Sequence, residues 1–493
     1  MKRIIRMLLS RTTLILVLLL IQLAFFFWLI FFVSRNGYVQ LAFNLISILI
    51  VLYLITKEEN PMYKISWIVP ILIFPLFGGL FYLFYRQVSF NPRVINRFLA
   101  FEKSRKDYLP IEKDHLETRI SKYLGKLNWP TYQETETKFF PSGESVFQSI
   151  LEDLRKAEKY IFLEFFIINK SNMWDQILDV LKEKASQGIE VKLLYDDFGS
   201  VDLPRSYPKR LKKFGIESVP FNRMRFHINF AMNYRDHRKI VVIDGKVGYT
   251  GGINVGDEYI NEINPYGHWH DVGIRIEGAA VWSLVMIFLE NYAFSTNHKI
   301  DFKSYYADHK KPSNGTLIPF SDTPLDNELT TKNVLLSLIS QAKKSILITS
   351  PYLIIDNELL TVLKLAAKSN IKVQIIIPQI PDKKLILMVS ESYVPELIES
   401  GVEIYRYQPG FIHAKMTIVD EEKALIGSTN LDFRSLYLHF ENSIYMENDP
   451  SIAEMVAFFE KTVSNSVLDS ELKRRNIFYR IIQALLRGFS PLL

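Results

Sequence analysis

The chain has 493 residues, enough for roughly three units at about 150 residues each. It is 48% hydrophobic yet still 23% charged, so its apolar excess is concentrated in segments, which excludes disordered and collagen-like chains. Cysteine is absent, which removes disulfides, thiolate metal sites and a Cys nucleophile, and the net charge of +6 suits an anionic partner such as phospholipid headgroups or nucleic acid.

Three uncharged stretches open the chain. Thr12 to Val33 lies between Arg11 and Arg35, Asn36 to Thr56 between Arg35 and Lys57, and Ile65 to Tyr85 between Lys64 and Arg86. Each has the ~20 residues that cross ~30 Å of hydrocarbon as a helix. The third holds Pro70, Pro75, Gly78 and Gly79, which predicts a kinked or re-entrant segment. Lys2, Arg3, Arg6 and Arg11 precede the first stretch, and Arg86, Arg93, Arg97, Lys103, Arg105 and Lys106 follow the third. Positive flanks stay cytoplasmic, so both ends share that side and the number of full spans is even. Three full spans would put the large body outside; the expectation is instead a multi-pass cell-membrane protein with two full spans and one of the last two segments interfacial or re-entrant. Its large body lies on the cytoplasmic side.

From about Phe139 the pattern is α/β. Tyr160 to Ile168 reads as a buried strand, Trp174 to Ser186 as a helix, and Val191 to Tyr195 and Ile240 to Ile243 as strands. The second half repeats the order: strand Ser345 to Ile355, helix Glu358 to Ser369, strand Ile371 to Pro378, strand Met416 to Val419. Strands alternating with helices predict two similar halves, each with a mainly parallel sheet covered by helices. The expected division is a membrane region at 1–85, a linker at 86–137, one domain at 138–300, a second linker at 301–319, a second domain at 320–468 and a basic amphipathic segment at 469–493.

One pattern carries chemistry. His237, Lys239, Asp244 and Asn254 recur as His413, Lys415, Asp420 and Asn430, each pair 176 residues apart without slippage. Gly251 matches Gly427, and Gly252 matches Ser428. A single H-x-K-x4-D arises by accident, whereas two copies in register do not. His and Lys two apart on a strand share a face, so imidazole and ammonium can converge on one ligand. The glycines predict close backbone approach to that ligand. Phosphodiester transfer fits this inventory. One imidazole attacks phosphorus, the other supplies the leaving group's proton, and the lysines and asparagines hold the non-bridging oxygens. No metal and no cofactor are required. Asp244 and Asp420 fit either the catalytic set or plain turn formation at strand ends.

These motifs resemble the phospholipase D superfamily, whose signature is a duplicated H-x-K-x4-D. Longer segments are similar to bacterial cardiolipin synthases: "NPMYKISWIVPILIFPLFGGLFYLFYR", "FLEFFII", "VKLLYDDFGS", "NYRDHRKIVVIDGKVGYTGGINVGDEY", "GFIHAKMTIVD", "IGSTNLDFRSLYLHFE" and the closing "SPLL". The resemblance runs from residue 60 to 493. It implies two phospholipase D-like domains and phosphatidyl transfer between two phosphatidylglycerol molecules through a phosphatidyl-histidine, giving cardiolipin and glycerol. It implies His237 as nucleophile and His413 as general acid and later base, although the residues themselves do not choose. Asn254, Asn430 and the lysines would bind phosphate, and Glu441 and Asp271 would orient the histidines. Partners would be membrane phospholipids and not nucleic acid. Asp236 stands where the family has Asn, His270 where it has Arg, and His439 where it has Asn. His268 and His270, with Asp271 beside them, also raise a metal pair as an alternative.

Rivals share the same residues: a hydrolytic phospholipase D with water as acceptor, a synthase using phosphatidylethanolamine or serine, and a nuclease. A silent membrane scaffold is disfavoured by two intact motifs. Lys473 to Leu493 is basic with apolar residues at helical spacing, and fits either a membrane-surface helix or a helix packed on the body.

Overall fold

The computed structural model describes residues 28, 31, 37–75, 78–79, 82, 92–109, 118–223, 233–296, 298–326, 328–471 and 476–492. The chain divides into two compact units, Met1–Val88 and Ser89–Pro491.

In the first unit, helix Gly37–Thr56 is the one described helix long and apolar enough to cross a membrane. Its 20 residues span about 30 Å, and Leu41, Leu45, Leu49 and Leu52 point outward. Helix Pro61–Ile73 follows, started by Asn60, whose side chain accepts from Met62 N at 2.9 Å, and by Pro61 at its first position. Its 13 residues are too short to span alone. A Cβ on Gly78 would lie 2.5 Å from Ile71 Cα, so the chain doubles back between the two. Tyr82 returns to stack edge-on against Trp67, and both are buried with Leu54 and Ile71. The expected segment Ile65 to Tyr85 is thus broken near Phe74, as far as it is described. The expected span Thr12 to Val33 lies outside the described residues except for Trp28 and Phe31.

The second unit holds two sheets of matching design. The first uses β1 (Thr135–Phe140), β2 (Tyr160–Phe165), β3 (Glu190–Asp196), β4 (Ile216–Phe221), β6 (Lys239–Ile243), β7 (Val247–Gly251) and β9 (Gly273–Gly278) in the order β1-β9-β7-β6-β2-β3-β4. The short strands β5 (Arg235–Asp236) and β8 (His268–His270) leave this sheet to pair with the other half. The second sheet uses β10 (Thr316–Asp322), β11 (Ser345–Thr349), β12 (Lys372–Pro378), β13 (Glu403–Tyr407), β15 (Met416–Val419), β16 (Lys423–Gly427), β17 (His439–Glu447) and β18 (Ser466–Leu468). Its order is β10-β17-β16-β15-β11-β12-β13-β18, and β14 (Gly410–Ile412) pairs with β8.

The sheets are mixed, which corrects the mainly parallel expectation. Strands β2-β3-β4 and β11-β12-β13 run parallel through helical crossovers, whereas the other neighbours along the two sheet orders pair antiparallel. The motif strands arrive by hairpins. Lys246 N bonds Ile243 O at 3.0 Å across Asp244 and Gly245, both at positive φ, and Glu422 N bonds Val419 O at 3.1 Å across Asp420 and Glu421, also both positive. Such turns reverse the chain in two residues and force antiparallel pairing. The expected strand Ser345 to Ile355 ends at Thr349, before Pro351, which has no N–H for a ladder.

Helix Val281–Thr296 buries every residue from Val281 to Phe294 and packs on both β2, β6 and β10, so it sits between the sheets. Described parts of the stretch expected as a first linker pack on this core. They include helices Pro92–Ser104 and Arg119–Lys126, and the buried Arg105 pairs with Glu290 at 2.8 Å while stacking over Trp129. Likewise β10 begins within the expected second linker.

Candidate active site

Each half supplies a histidine that the other half holds. His237 lies between β5 and β6. Strand β5 pairs in parallel with β17, and His237 N bonds Phe440 O at 2.9 Å. His413 lies between β14 and β15. Strand β14 pairs in parallel with β8, and His413 N bonds His270 O at 2.7 Å. The acids cross in the same way. His237 Nδ1 lies 2.9 Å from Glu441 Oε1, and His413 Nδ1 lies 2.6 Å from Asp271 Oδ2. Gly251 faces Gly273 and Gly427 faces Ser443 in the ladders, so Asp271 and Glu441 occupy equivalent positions two residues earlier. Both carboxylates are fully buried, and each imidazole is 7% exposed.

The carboxylates fix the tautomer. Burial pushes Glu441 and Asp271 up, but the hydrogen-bonded imidazoles, His237 and His413, pull both below the usual carboxylate range. An ionised carboxylate only accepts, so each Nδ1 carries the proton and each Nε2 keeps its lone pair. Burial lowers His237 to about 3 and His413 to about 4, so both rings are neutral in the free site. Aromatic rings wall them: Phe166 at 5.0 Å from His237, and Trp269 at 5.0 Å and Tyr259 at 6.0 Å from His413.

Lys239 and Lys415 converge with them. Lys239 Nζ donates to His237 O at 2.6 Å, and Lys415 Nζ donates to His413 O at 2.5 Å. Burial drops Lys239 to about 7 and Lys415 to about 8, and the Lys415 ammonium adds to the shift of Lys239. Such a centre favours an anion, whose charge would offset two desolvated ammoniums.

The motif aspartates lie away from this centre, in the geometry of the turn-forming alternative. Asp244 ends β6 on the side away from His237. Its carboxylate accepts from Glu158 N at 2.9 Å, Lys159 N at 2.7 Å and Tyr160 N at 2.9 Å. Asp420 accepts in the same way from Lys343, Lys344 and Ser345 backbone N–H groups. Each clamps the loop entering the neighbouring strand and takes the left-handed φ of its hairpin turn. The asparagines are partly engaged by the protein. Asn254 accepts from Ile167 N and donates to Tyr259 Oη, both at 3.1 Å, and Asn430 donates to Asp432 at 3.1 Å.

The glycines serve the acids and the adjoining strands. A Cβ on Gly252 would fall 2.1 Å from Asp271 Oδ1, and one on Gly251 2.4 Å from Val272 O. At the position matching Gly252, Ser428 donates its hydroxyl to Glu441 Oε2. Ser428 was legible only as a mismatch to Gly252. A further bond joins the halves, from Asn442 Nδ2 to Thr250 Oγ1 at 2.7 Å, and no spacing pattern announces it.

Asp236, His270 and His439 have distinct environments. Asp236 is fully buried, and burial with the nearby Glu164 raises its pKa well above normal. A protonated Asp236 can donate as well as accept, as an amide does, and Asn291 Nδ2 bridges it to Glu164 at 3.0 and 2.7 Å. Burial lowers His270 to about 4. It stacks between Tyr407 and Phe458 and pairs through Nε2 with Thr462 Oγ1 at 3.0 Å. It supports His413 through its carbonyl and brings no charge at neutral pH. His268 turns to Tyr407 Oη at 2.9 Å and Asp271 to His413, so these three do not gather as a metal set. Among the described residues, His237, His439 and Glu441 are the group whose ligand atoms lie close enough to hold a cation. Occupying it would take the Glu441 oxygen from His237 Nδ1.

A family model described as cardiolipin synthase, PLD-like domain, matches residues 150–272 and 335–463, and one described as phospholipase D-nuclease N-terminal matches 42–87. The cardiolipin synthase of Alkalihalophilus pseudofirmus is 35% identical, covering 93% of this chain and 94% of that protein. An uncharacterized protein of Streptococcus mutans serotype c is 38% identical over 90% of this chain and 99% of its own. The crystal structure of phosphatidylserine synthase from Haemophilus influenzae Rd KW20 covers 76% of this chain and 98% of its own at 17% identity, with a TM-score of 0.58, and shares the fold.

Proposed function

The chain belongs to the PLD-like cardiolipin synthase family, and from that membership we propose a phosphatidyl transfer between two phosphatidylglycerol molecules at the shared centre. The observation that carries this reading is the crossed pairing of His237 with Glu441 and His413 with Asp271. It yields two imidazoles with free Nε2 atoms beside two lysines.

In the first step Nε2 of neutral His237 attacks the phosphorus of one phosphatidylglycerol. The bond from phosphorus to the glycerol oxygen breaks, and that oxygen takes a proton from His413. In the second step His413 takes the proton of a second phosphatidylglycerol's terminal hydroxyl. That oxygen attacks phosphorus, the phosphorus–nitrogen bond breaks, and cardiolipin leaves. The diester's negative charge, placed among the four basic groups, raises His413 from its value of about 4 and allows it to act as the acid. Lys239 and Lys415 stabilise the non-bridging oxygens, with Asn254 and Asn430 as further phosphate contacts. Glu441 and Asp271 are positioning residues. The symmetry of the centre does not distinguish the histidines, and His237 as nucleophile follows the family resemblance.

The chemical body comprises two halves, one from β1 at Thr135 to about residue 300 and one from β10 at Thr316 to residue 468, together with the segment before β1 that packs on them. Helix Gly37–Thr56 is one membrane span and Thr12 to Val33 the other, with the body on the cytoplasmic side by the charge argument. The test is a product assay: detergent-purified protein with phosphatidylglycerol, no metal and no nucleotide, resolved by mass spectrometry. Cardiolipin with equimolar glycerol supports transfer, whereas phosphatidic acid with glycerol makes the protein a hydrolase.

A further inference from the structure

The C-terminal helix Ile477–Gly488 is docked with its polar side inward. Tyr479, Gln483 and Arg487 recur every four residues and therefore share one face. That face meets the segment from Lys384 to Glu396. Tyr479 Oη donates to Glu391 at 2.8 Å, and Gln483 Nε2 donates to Met388 O at 3.2 Å. Arg487 donates to Ser392 O at 3.2 Å and to Glu396 at 2.9 Å, with its guanidinium over the Tyr393 ring. Gln483 is the helix's buried side chain. The opposite stripe, Ile477, Phe478, Ile481, Ile482 and Leu485, is exposed, with Phe478 at 75% and Leu485 at 63%. A helix serving only a soluble body does the reverse, burying its apolar stripe and wetting its polar one.

The surroundings identify what covers the stripe. Leu385 on the adjoining helix Lys384–Glu391 is exposed and extends the apolar area. Lys383, Lys384 and Arg480 are exposed basic residues on these two elements, and Lys473, Arg474 and Arg475 precede the helix in sequence. An apolar stripe edged with cations matches acyl chains beneath anionic headgroups. The surface also connects to the reacting centre. Asp382, two residues before helix Lys384–Glu391, accepts from Tyr352 Oη at 2.6 Å. Tyr352 packs on Phe411, whose ring lies 5.9 Å from that of His413.

We propose that helix Ile477–Gly488, together with the exposed edge of helix Lys384–Glu391, is a bilayer-docking surface that lies at the headgroup–acyl boundary of a membrane containing anionic phospholipid. It would hold the His413 side of the centre near the headgroup plane. The inference is independent of the chemistry assigned to the histidines.

The absence of cysteine makes an introduced thiol a unique label site. The full chain carrying Ile481→Cys, labelled with an environment-sensitive fluorophore, is reconstituted in vesicles of phosphatidylglycerol and phosphatidylcholine. Expected are a blue-shifted emission and at least about twofold quenching by lipids with nitroxide on the acyl chain. The same label at Phe214→Cys, an exposed apolar position in the first half, stays unquenched. In phosphatidylcholine vesicles alone the quenching at position 481 falls. A water-like label at 481 overturns the proposal. So does a blue-shifted label that lipid nitroxide fails to quench, which would mean that protein covers the stripe. Equal quenching at 481 and 214, or equal quenching with and without phosphatidylglycerol, also overturns it.

Discussion

Replacing Glu441 by Gln tests the crossed arrangement at its most sensitive atom. The carboxylate is fully buried and takes the Nδ1 proton of His237 on one oxygen and the Ser428 hydroxyl on the other. Gln keeps the volume but offers one acceptor where two donors converge. Either the Ser428 bond fails or the amide N–H faces His237 Nδ1. The second case drives the imidazole proton to Nε2 and removes the nucleophilic lone pair. The corresponding change of the orienting carboxylate in a Ser–His–Asp triad, which leaves the imidazole in the wrong tautomer, costs about 10⁴ in kcat, so a fall of about 10²–10⁴ is expected here. The assay is the initial rate of glycerol release in mixed micelles, with the phosphatidylglycerol dependence measured in parallel. The loss should fall on kcat, with KM within about threefold, because Glu441 makes its contacts through His237 and not through substrate. A variant whose kcat falls less than threefold, with its melting temperature unchanged, would refute the orientation argument.

Other expectations follow from the same geometry. Asp244→Asn removes one of the acceptors that hold three backbone N–H groups, costing about 1–3 kcal/mol of stability; thermal unfolding should show this while kcat per folded molecule stays within about twofold. Gly252→Ala pushes a methyl group into Asp271 and should cut the rate at least about tenfold through His413, read by comparing activity with melting temperature. The lysine ammoniums persist below about 7 for Lys239 and about 8 for Lys415, so kcat/KM should fall as pH rises through that window. Lys239→Arg, which stays charged, should shift the first of these losses to higher pH in the same profile. His439 lies 5.4 Å from His237, ring to ring, and disfavours its charged form, so His439→Asn should move the acidic limb of kcat/KM to higher pH.

The paired motif was legible because chemistry imposed it twice at one interval. The i, i+2 spacing did place each His and Lys together, with the lysine ammonium returning to the histidine carbonyl. The apolar runs at β2, β3, β12 and β15 were legible for the same reason that they are buried. Strand direction was not. Periodicity reports burial and is blind to pairing, and only the positive φ at Asp244–Gly245 and Asp420–Glu421 decides that the motif strands turn back as hairpins. The two readings of the aspartates stayed open because a residue's position in a motif does not say whether it faces ligand or backbone. Gly252 shows a related limit: its smallness was visible, but the neighbour it makes room for, Asp271, lies on a different strand connection. The exchange of acids between halves was equally hidden, since Glu441 and Asp271 are separated from their histidines by more than a hundred residues.

The most direct measurement is to trap the covalent step. The enzyme is mixed with phosphatidylglycerol, quenched in alkali within one turnover to preserve a phosphorus–nitrogen bond, digested and mapped by mass spectrometry. A phosphatidyl group is expected on the peptide containing His237, with its loss in His237→Ala and its accumulation when the acceptor hydroxyl is blocked. Cardiolipin formed at the normal rate by His237→Ala, or with neither histidine peptide ever modified, would contradict the covalent step.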